Sequence, residues 1–169
     1  NGPAIGLYNK EVNEFFDKGF AVSSLSNVFR APDTLLASQI FIPPCPATEA
    51  PKAYGVDKEC KPSRWIAHYR GAVKAPQTGK FRFVGSGDDF MAVRWNRKVA
   101  LDSGYQQFLT GAENVYKDFG NKKCDETHPS RTGKPMRAGP WIRIIKDAEA
   151  SLEVVIGETP GGFFYAILC

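Results

Sequence analysis

Hydrophobic and polar positions along this chain change period several times. In "NKEVNEFFDKG", Val12, Phe15 and Phe16 stand three and four residues apart, the spacing of one helix face. Asn9 is placed to cap that helix and Gly19 to end it. Beyond it the period drops to two. "GFAVSSL" reads as a strand, and "DTLLASQIFIPP" ends as one, stopped by Pro43-Pro44. In "SRWIAHYRGAVKAP", Trp65, Ala67 and Tyr69 share one face, while Ile66, His68 and Arg70 share the other. Phe81 and Phe83 line one side of the next run. "FMAVRWNRKVALDSG" predicts a hairpin turning at Asn96-Arg97, with Met91, Val93 and Trp95 on one face and Val99 and Leu101 together. "GPWIRIIK" adds a strand, and "SLEVVIGETPGGFFYAIL" closes with two strands around "GETPGG". Strands are predicted near 64–75, 79–85, 90–95, 98–102, 141–146, 152–157 and 163–168. One buried face per strand is what a two-layer antiparallel β-sandwich requires. The expected fold is all-β, with a short N-terminal helix and long loops.

Composition supports that class. The chain has 169 residues, 43% of them hydrophobic, with 12 Phe, 6 Tyr and 3 Trp, which favour strands. One domain over residues 1–169 is expected, interrupted by a Pro-rich irregular stretch at 43–63 and a polar loop at 112–140. The formal charge of +4 is mild. In the polar loop Lys117, Lys122, Lys123, Arg131, Lys134 and Arg137 are diluted by Asp118, Asp125 and Glu126, so a solvated loop is expected and no nucleic-acid surface. No run approaches the roughly 18 apolar residues of a membrane span, so no membrane insertion is expected. The opening "NGPAIG" lacks Met and reads as a mature chain or an excised fragment.

Cys45, Cys60, Cys124 and Cys169 allow three disulfide pairings. Cys-x-x-Cys spacing is absent and His68 and His128 are the only histidines, which argues against a structural zinc site. Cys45 and Cys60 flank the Pro-rich stretch, where a disulfide would supply order. The expected bridges are Cys45–Cys60 and Cys124–Cys169, in an oxidising compartment.

The residues that ask for chemistry lie in "VGSGDDFMAVRW". Neighbours on a regular strand point to opposite faces, and aspartate fits strands poorly. Asp88-Asp89 is therefore either a polar turn or a bent segment in which both carboxylates converge. Adjacent carboxylates cannot flank a glycosidic bond at the roughly 5–9.5 Å a glycosidase needs, although Glu158 with either could. There is no Gly-rich phosphate loop and no nucleophile elbow. No enzyme activity is expected.

"YRGAVKAPQTGKFRFVGSGDDFMAVRWNRKVALDSG" resembles the signature half of the anthrax-protective-antigen-type (PA-fourteen) domain, in its bacterial surface or secreted multidomain version. Tyr69, Gly71, Ala75-Pro76, Thr78-Gly79, Phe81, Phe83, Asp88-Asp89 and Asp102 carry the likeness, and "WIRIIKDAEASLEVVIGETPGGFFYAIL" is similar to the family's final strands. The resemblance covers residues 64–110 and 139–168 well, 1–63 loosely and 111–138 hardly at all. It implies a β-sandwich wrapped towards a barrel. In the family's lectin-like branch of yeast flocculins and epithelial adhesins, a cis peptide joins the acidic pair, and both side chains hold one Ca²⁺ that in turn holds sugar hydroxyls. Carried over, it implies Ca²⁺ at Asp88, Asp89 and Glu158, and a ligand rim of those three with Thr159, Gly161 and Gly162. Glu158 stands where that branch has Asn, and Arg97 where its hairpin favours Gly. The implied function is a calcium-assisted carbohydrate-binding module. The alternative is a structural or protein-interaction spacer. The implied partners are a glycan or another surface protein, and other domains of a longer parent chain. The implied setting is extracellular, cell-surface or periplasmic.

Overall fold

A computed structural model describes residues 2–104, 127–129, 135–159 and 161–169. The chain begins with α1 (Gly2–Asp17) and a 3₁₀ turn at Val22–Ser24. β1 (Phe41–Pro46), the short α2 (Glu49–Ala53), β2 (Trp65–Lys74), β3 (Gly79–Phe81), β4 (Val84–Gly87), β5 (Phe90–Trp95) and β6 (Lys98–Gly104) follow. Then come β7 (Thr127–Pro129), β8 (Pro135–Ala138), β9 (Ile142–Ile144), β10 (Glu149–Glu158) and β11 (Phe163–Leu168). The strands form a five-stranded sheet in the order β1-β11-β4-β8-β7, a four-stranded sheet in the order β2-β10-β5-β6, and the pair β3-β9. All pairings are antiparallel. The fold is an all-β antiparallel sandwich with a helix at its N-terminal end.

Two layers of apolar packing follow from the sequence periods. Met91 and Val93 of β5, Val154 and Ile156 of β10, Ala67 of β2 and Ala166 of β11 form one buried cluster. The intervening residues Phe90, Ala92 and Val155 point to the other side of the four-stranded sheet, where Val12, Phe15, Phe16 and Phe20 meet them. β5 is therefore buried on both faces, which explains a run as continuously apolar as "FMAV". The helix face foreseen from Val12, Phe15 and Phe16 is the one that packs. Arg94 fastens the helix end. It is 9% exposed, donates to the carbonyl of Gly19 and, through its other terminal nitrogen, to that of Arg97 at 2.9 Å. It also stands 3.3 Å from Glu153, which reaches His68 at 3.2 Å.

Several local expectations are corrected. α1 starts at Gly2, so Asn9 is buried inside it and does not cap it. Gly19 and Phe20 both have positive φ, at 67° and 62°. They turn the chain sharply, and "GFAVSSL" forms the 3₁₀ turn where a strand was expected. The Pro-rich stretch is not wholly irregular. β1 runs through Pro43 and Pro44 because it is an edge strand, whose outward side needs no N–H. Val99 and Leu101 do not share a face. Arg94 pairs with Val99 and Val93 with Leu101, so Ala100 is a bulge, and Val99 turns towards the helix side while Leu101 enters the inter-sheet core.

The Cys45–Cys60 disulfide is not formed: Cys45, Cys60 and Cys169 are free thiols. Cys45 is held on β1 opposite Phe164, with its Sγ 3.8 Å from the Phe164 carbonyl. Cys60 is fixed by a different element, through the 2.8 Å bond of its amide to Val56 O after α2. Burial pushes both thiols above their ordinary value. Cys124, and with it the second expected bridge, lies outside the described residues, as does most of 112–140. No described helix is long and apolar enough to cross a membrane.

The hairpin between β5 and β6 has φ of 48° at Asn96 and 62° at Arg97, the left-handed pair of a type I′ turn. Arginine in that region carries a backbone penalty that glycine avoids. Arg97→Gly should stabilise the chain by about 1 kcal/mol, read as a higher urea midpoint at unchanged slope. The Arg97 carbonyl, which Arg94 uses, is retained in that variant.

Candidate functional site

The acidic pair sits where the chain changes sheets. β4 belongs to the five-stranded sheet and β5 to the four-stranded one. Asp88-Asp89, joined by a cis peptide bond, is the whole connection between them. Each amide is tied to a different layer. Asp88 N–H donates to Tyr165 O of β11 at 3.0 Å, and Asp89 N–H to Gly157 O of β10 at 2.8 Å. The chain also changes layers between β10 and β11, and Thr159, just after β10, bonds to Asp89. The two crossovers therefore lie side by side.

Glycines permit this close approach. A Cβ on Gly87 would fall 2.8 Å from Phe90 O, and one on Gly85 would fall 2.7 Å from Ile167 O. On Gly161 it would collide with Glu158 Oε1, so the loop backbone lies directly against that carboxylate.

Glu158 is 1% exposed, and neither of its carboxylate oxygens accepts a hydrogen bond of good geometry, although the Gly161 amide lies close by. Burial pushes its carboxyl up to about 8, and the neighbouring charges of Asp89 and then Asp88 add to the rise; the Gly161 amide opposes it. Asp89 is 6% exposed and well held. Its Oδ2 accepts the amide of Thr159 at 2.6 Å and also the Thr159 hydroxyl. Asp88 is half-buried and the most open of the three. Below them Ser86 and Tyr165 share a buried 2.8 Å hydrogen bond between β4 and β11. In the aromatic run after the loop, Phe164 and Tyr165 belong to the core, whereas Phe163 is 65% exposed beside Gly162.

Asp89 and Asp88 lie near enough to Glu158 for their charges to act on it, and Gly161 packs against Glu158. Thr159 has a part that the sequence did not reveal: it locks Asp89 and so joins the two crossovers. Ser86 and Tyr165 were also missed. Tyr165 read only as a strand residue, and Ser86 fell outside the predicted strands. A buried carboxylate with two unpartnered oxygens, beside two further carboxylates, has the donor chemistry of a hard divalent cation site. Among the described residues no group of three or more His, Cys, Asp or Glu side chains stands at metal-holding spacing. The carboxylates adjoin without forming a closed cage, and backbone oxygens or water would have to complete a shell. No family model, no curated protein and no solved structure matches the chain.

The buried carboxyl sets a pH dependence. Glu158 titrates at about 8 in the folded chain against an ordinary value of 4.5. Between those values the folded state holds a proton that the unfolded state has lost. Stability from this group is therefore full below pH 4.5 and falls as pH rises towards 8. In chelator, the melting temperature of the native chain relative to Glu158→Gln should drop by several degrees from pH 5 to pH 8.5, each pKa unit being worth about 1.4 kcal/mol. A difference between the two proteins that stays constant with pH would mean that Glu158 is not a buried titrating acid.

Proposed function

We propose that the chain is a protective-antigen-type domain acting as a non-catalytic carbohydrate-binding module, with Ca²⁺ held at Asp88, Asp89 and Glu158. The observation that carries this reading is the pair of unpartnered oxygens on a wholly buried Glu158, placed against two other carboxylates. An unpaired carboxylate in that setting is costly unless it is protonated or meets a cation. When bound, the ion would supply hard coordination positions at which water exchanges for vicinal sugar hydroxyls.

The chain's own residues do the rest. Thr159 pins Asp89 and so fixes the two loops to each other before any ligand arrives. Asp88 stands at the open side. Gly161 and Gly162 keep the rim low, with open space where a Gly162 side chain would be. Phe163 offers an apolar wall next to the rim. A shallow rim of this kind buries little of a ligand, so useful affinity would come from repeated modules on one surface. The extracellular, cell-surface or periplasmic setting rests on the family resemblance, and it suits a carboxylate site of the weak, extracellular calcium class.

Calcium at about a hundred times its dissociation constant should raise the melting temperature by roughly 5–10 °C, from a linkage gain of about 2.7 kcal/mol. The gain should vanish in Asp88→Ala and in Glu158→Gln. Asp89 is a poorer choice because it also anchors Thr159. Calcium-loaded chain should bind a subset of a broad glycan array, with the signal lost in chelator. If calcium leaves the melting curve unchanged, the metal reading fails. If folded, calcium-loaded chain binds no glycan, the module is a structural or protein-interaction spacer.

A further inference from the structure

Away from the acidic site, a groove of about 430 Å³ follows β2. Its lining includes every residue from Arg64 to Arg70. Consecutive strand residues alternate between faces, so a groove that touches all of them runs along the strand's edge. β2 is an edge strand: its neighbour in the four-stranded sheet is β10, on one side alone.

Hydrogen bonding fixes which backbone groups that edge presents. Asn96 N–H donates to Ser151 O at 2.9 Å, and Asp89 N–H to Gly157 O at 2.8 Å. Odd-numbered residues of β10 therefore turn their polar groups to β5, and even-numbered ones turn theirs to β2. The partners of Leu152, Val154 and Ile156 are Gly71, Tyr69 and Ala67. Those β2 residues point back at β10, and Ala75 N–H, which donates to Ala148 O, keeps the same parity. By alternation, Ile66, His68 and Arg70 direct N–H and C=O outward into the groove. Among the described residues no backbone group bonds to them from that side.

The walls are apolar and differ on the two sides of the edge. Tyr8 and Val12 of α1 stand on one side, and Pro51, Tyr54 and Val56 at α2 on the other. The irregular segment that follows the 3₁₀ turn also lines the groove, and it exposes large apolar side chains: Val28 is 44% exposed, Phe29 55%, Leu35 42% and Leu36 100%. Such a patch around a groove marks an interaction surface. The charges favour an anionic occupant. Arg30, Arg64 and Arg70 line the groove against Glu11 and Asp33, and none of the three arginines has an ion pair among the described residues. Trp65, at one end, has a buried indole N–H with no acceptor.

We infer that this groove receives an extended segment of another protein, apolar with interspersed acidic residues, which adds as a strand to the β2 edge. Backbone groups of Ile66, His68 and Arg70 pair with the incoming strand. Its alternate side chains enter the α1 and α2 walls, and its carboxylates meet Arg64 and Arg70. Three outward residues span about 13 Å, so roughly five to seven residues of partner suffice.

A phage-displayed library of random decapeptides, panned on the whole chain in chelator so that the acidic rim is out of play, tests this. The enriched peptides should alternate apolar residues with Asp or Glu. The Arg64→Glu/Arg70→Glu double variant should bind them about tenfold or more weakly, and added salt should weaken binding to the native chain. In hydrogen exchange, the amides of Ile66, His68 and Arg70 should slow on binding, while that of Arg143, in the separate β3-β9 pair, serves as a control. The inference is overturned if the folded chain enriches no peptide family. It is overturned equally if the double variant binds as well as the native chain, or if bound peptide leaves those three amides exchanging at the free rate. That last result would mean a groove that takes side chains without strand pairing.

Discussion

The two layers of this sandwich are joined at one end by two short crossovers that share hydrogen bonds. Asp88 and Asp89 donate their amides to β11 and β10 respectively, and Asp89 accepts back from Thr159 in the neighbouring crossover. Neither connection has residues to spare. Two residues suffice to leave the five-stranded sheet and enter the other, so their side chains have no freedom to separate. This constraint places Asp88 and Asp89 beside the last residue of β10, and it makes Glu158 a buried neighbour of two other acids. The same tight geometry requires glycine at 85, 87 and 161, because backbone or carboxylate occupies the space a Cβ would need.

The opposite face of the four-stranded sheet shows how the fold treats charge when only structure is at stake. Arg94, Glu153 and His68 lie beneath α1, and each charge there meets a partner: Glu153 stands between Arg94 and His68. Arg94 also satisfies carbonyls at the helix end and in the hairpin, and its guanidinium lies 4.8 Å from the Phe20 ring. Burial holds His68 below its ordinary value, against the pull of Glu153. Glu158, five residues further along the same strand, is more deeply buried than Glu153 and meets no positive partner among the described residues.

Much of this architecture was legible because it is written in periods. The helical spacing of Val12, Phe15 and Phe16 corresponds to one buried face, and the alternation through β5 and β10 sorts their apolar residues between the two sides of the sheet. Features that obey other rules were not legible. Pro43 and Pro44 read as a stop, since nothing local says that β1 will be an edge. The Ala100 bulge shifts Val99 to the other face with no mark in the sequence. Arg97 adopts a left-handed backbone that its residue type disfavours. Proximity along the Pro-rich stretch suggested that Cys45 and Cys60 would meet, but pairing with β11 carries Cys45 into the sheet. The acidic pair announced itself, because two aspartates between strongly apolar runs fit no regular strand. The burial of Glu158 and the locking role of Thr159 depend on crossovers meeting in space, which a one-dimensional pattern cannot express. The β2 groove was hidden for the same reason: Arg64 and Arg70 look like ordinary polar strand residues until the strand is known to be an edge.

If Glu158 served the fold alone, its position would be hard to rationalise. Replacing a buried charged group by an apolar one of similar size is often neutral or stabilising, and the surrounding positions, from Val154 to Ile156 and from Phe164 to Ala166, are filled by residues of that kind. Asp89 does serve the fold, since its carboxylate ties Thr159 and thereby couples the crossovers. Glu158 makes no comparable tie: its oxygens accept no hydrogen bond of good geometry among the described residues. A carboxyl placed where it must either keep its proton or find a positive partner adds a pH-dependent weakness to the metal-free chain. That weakness is removed by the two changes that neutralise it, protonation and a bound cation. The position therefore weakens the metal-free chain as pH rises, and the hydrogen-bonded neighbour that keeps its loop in place allows the fold to tolerate it.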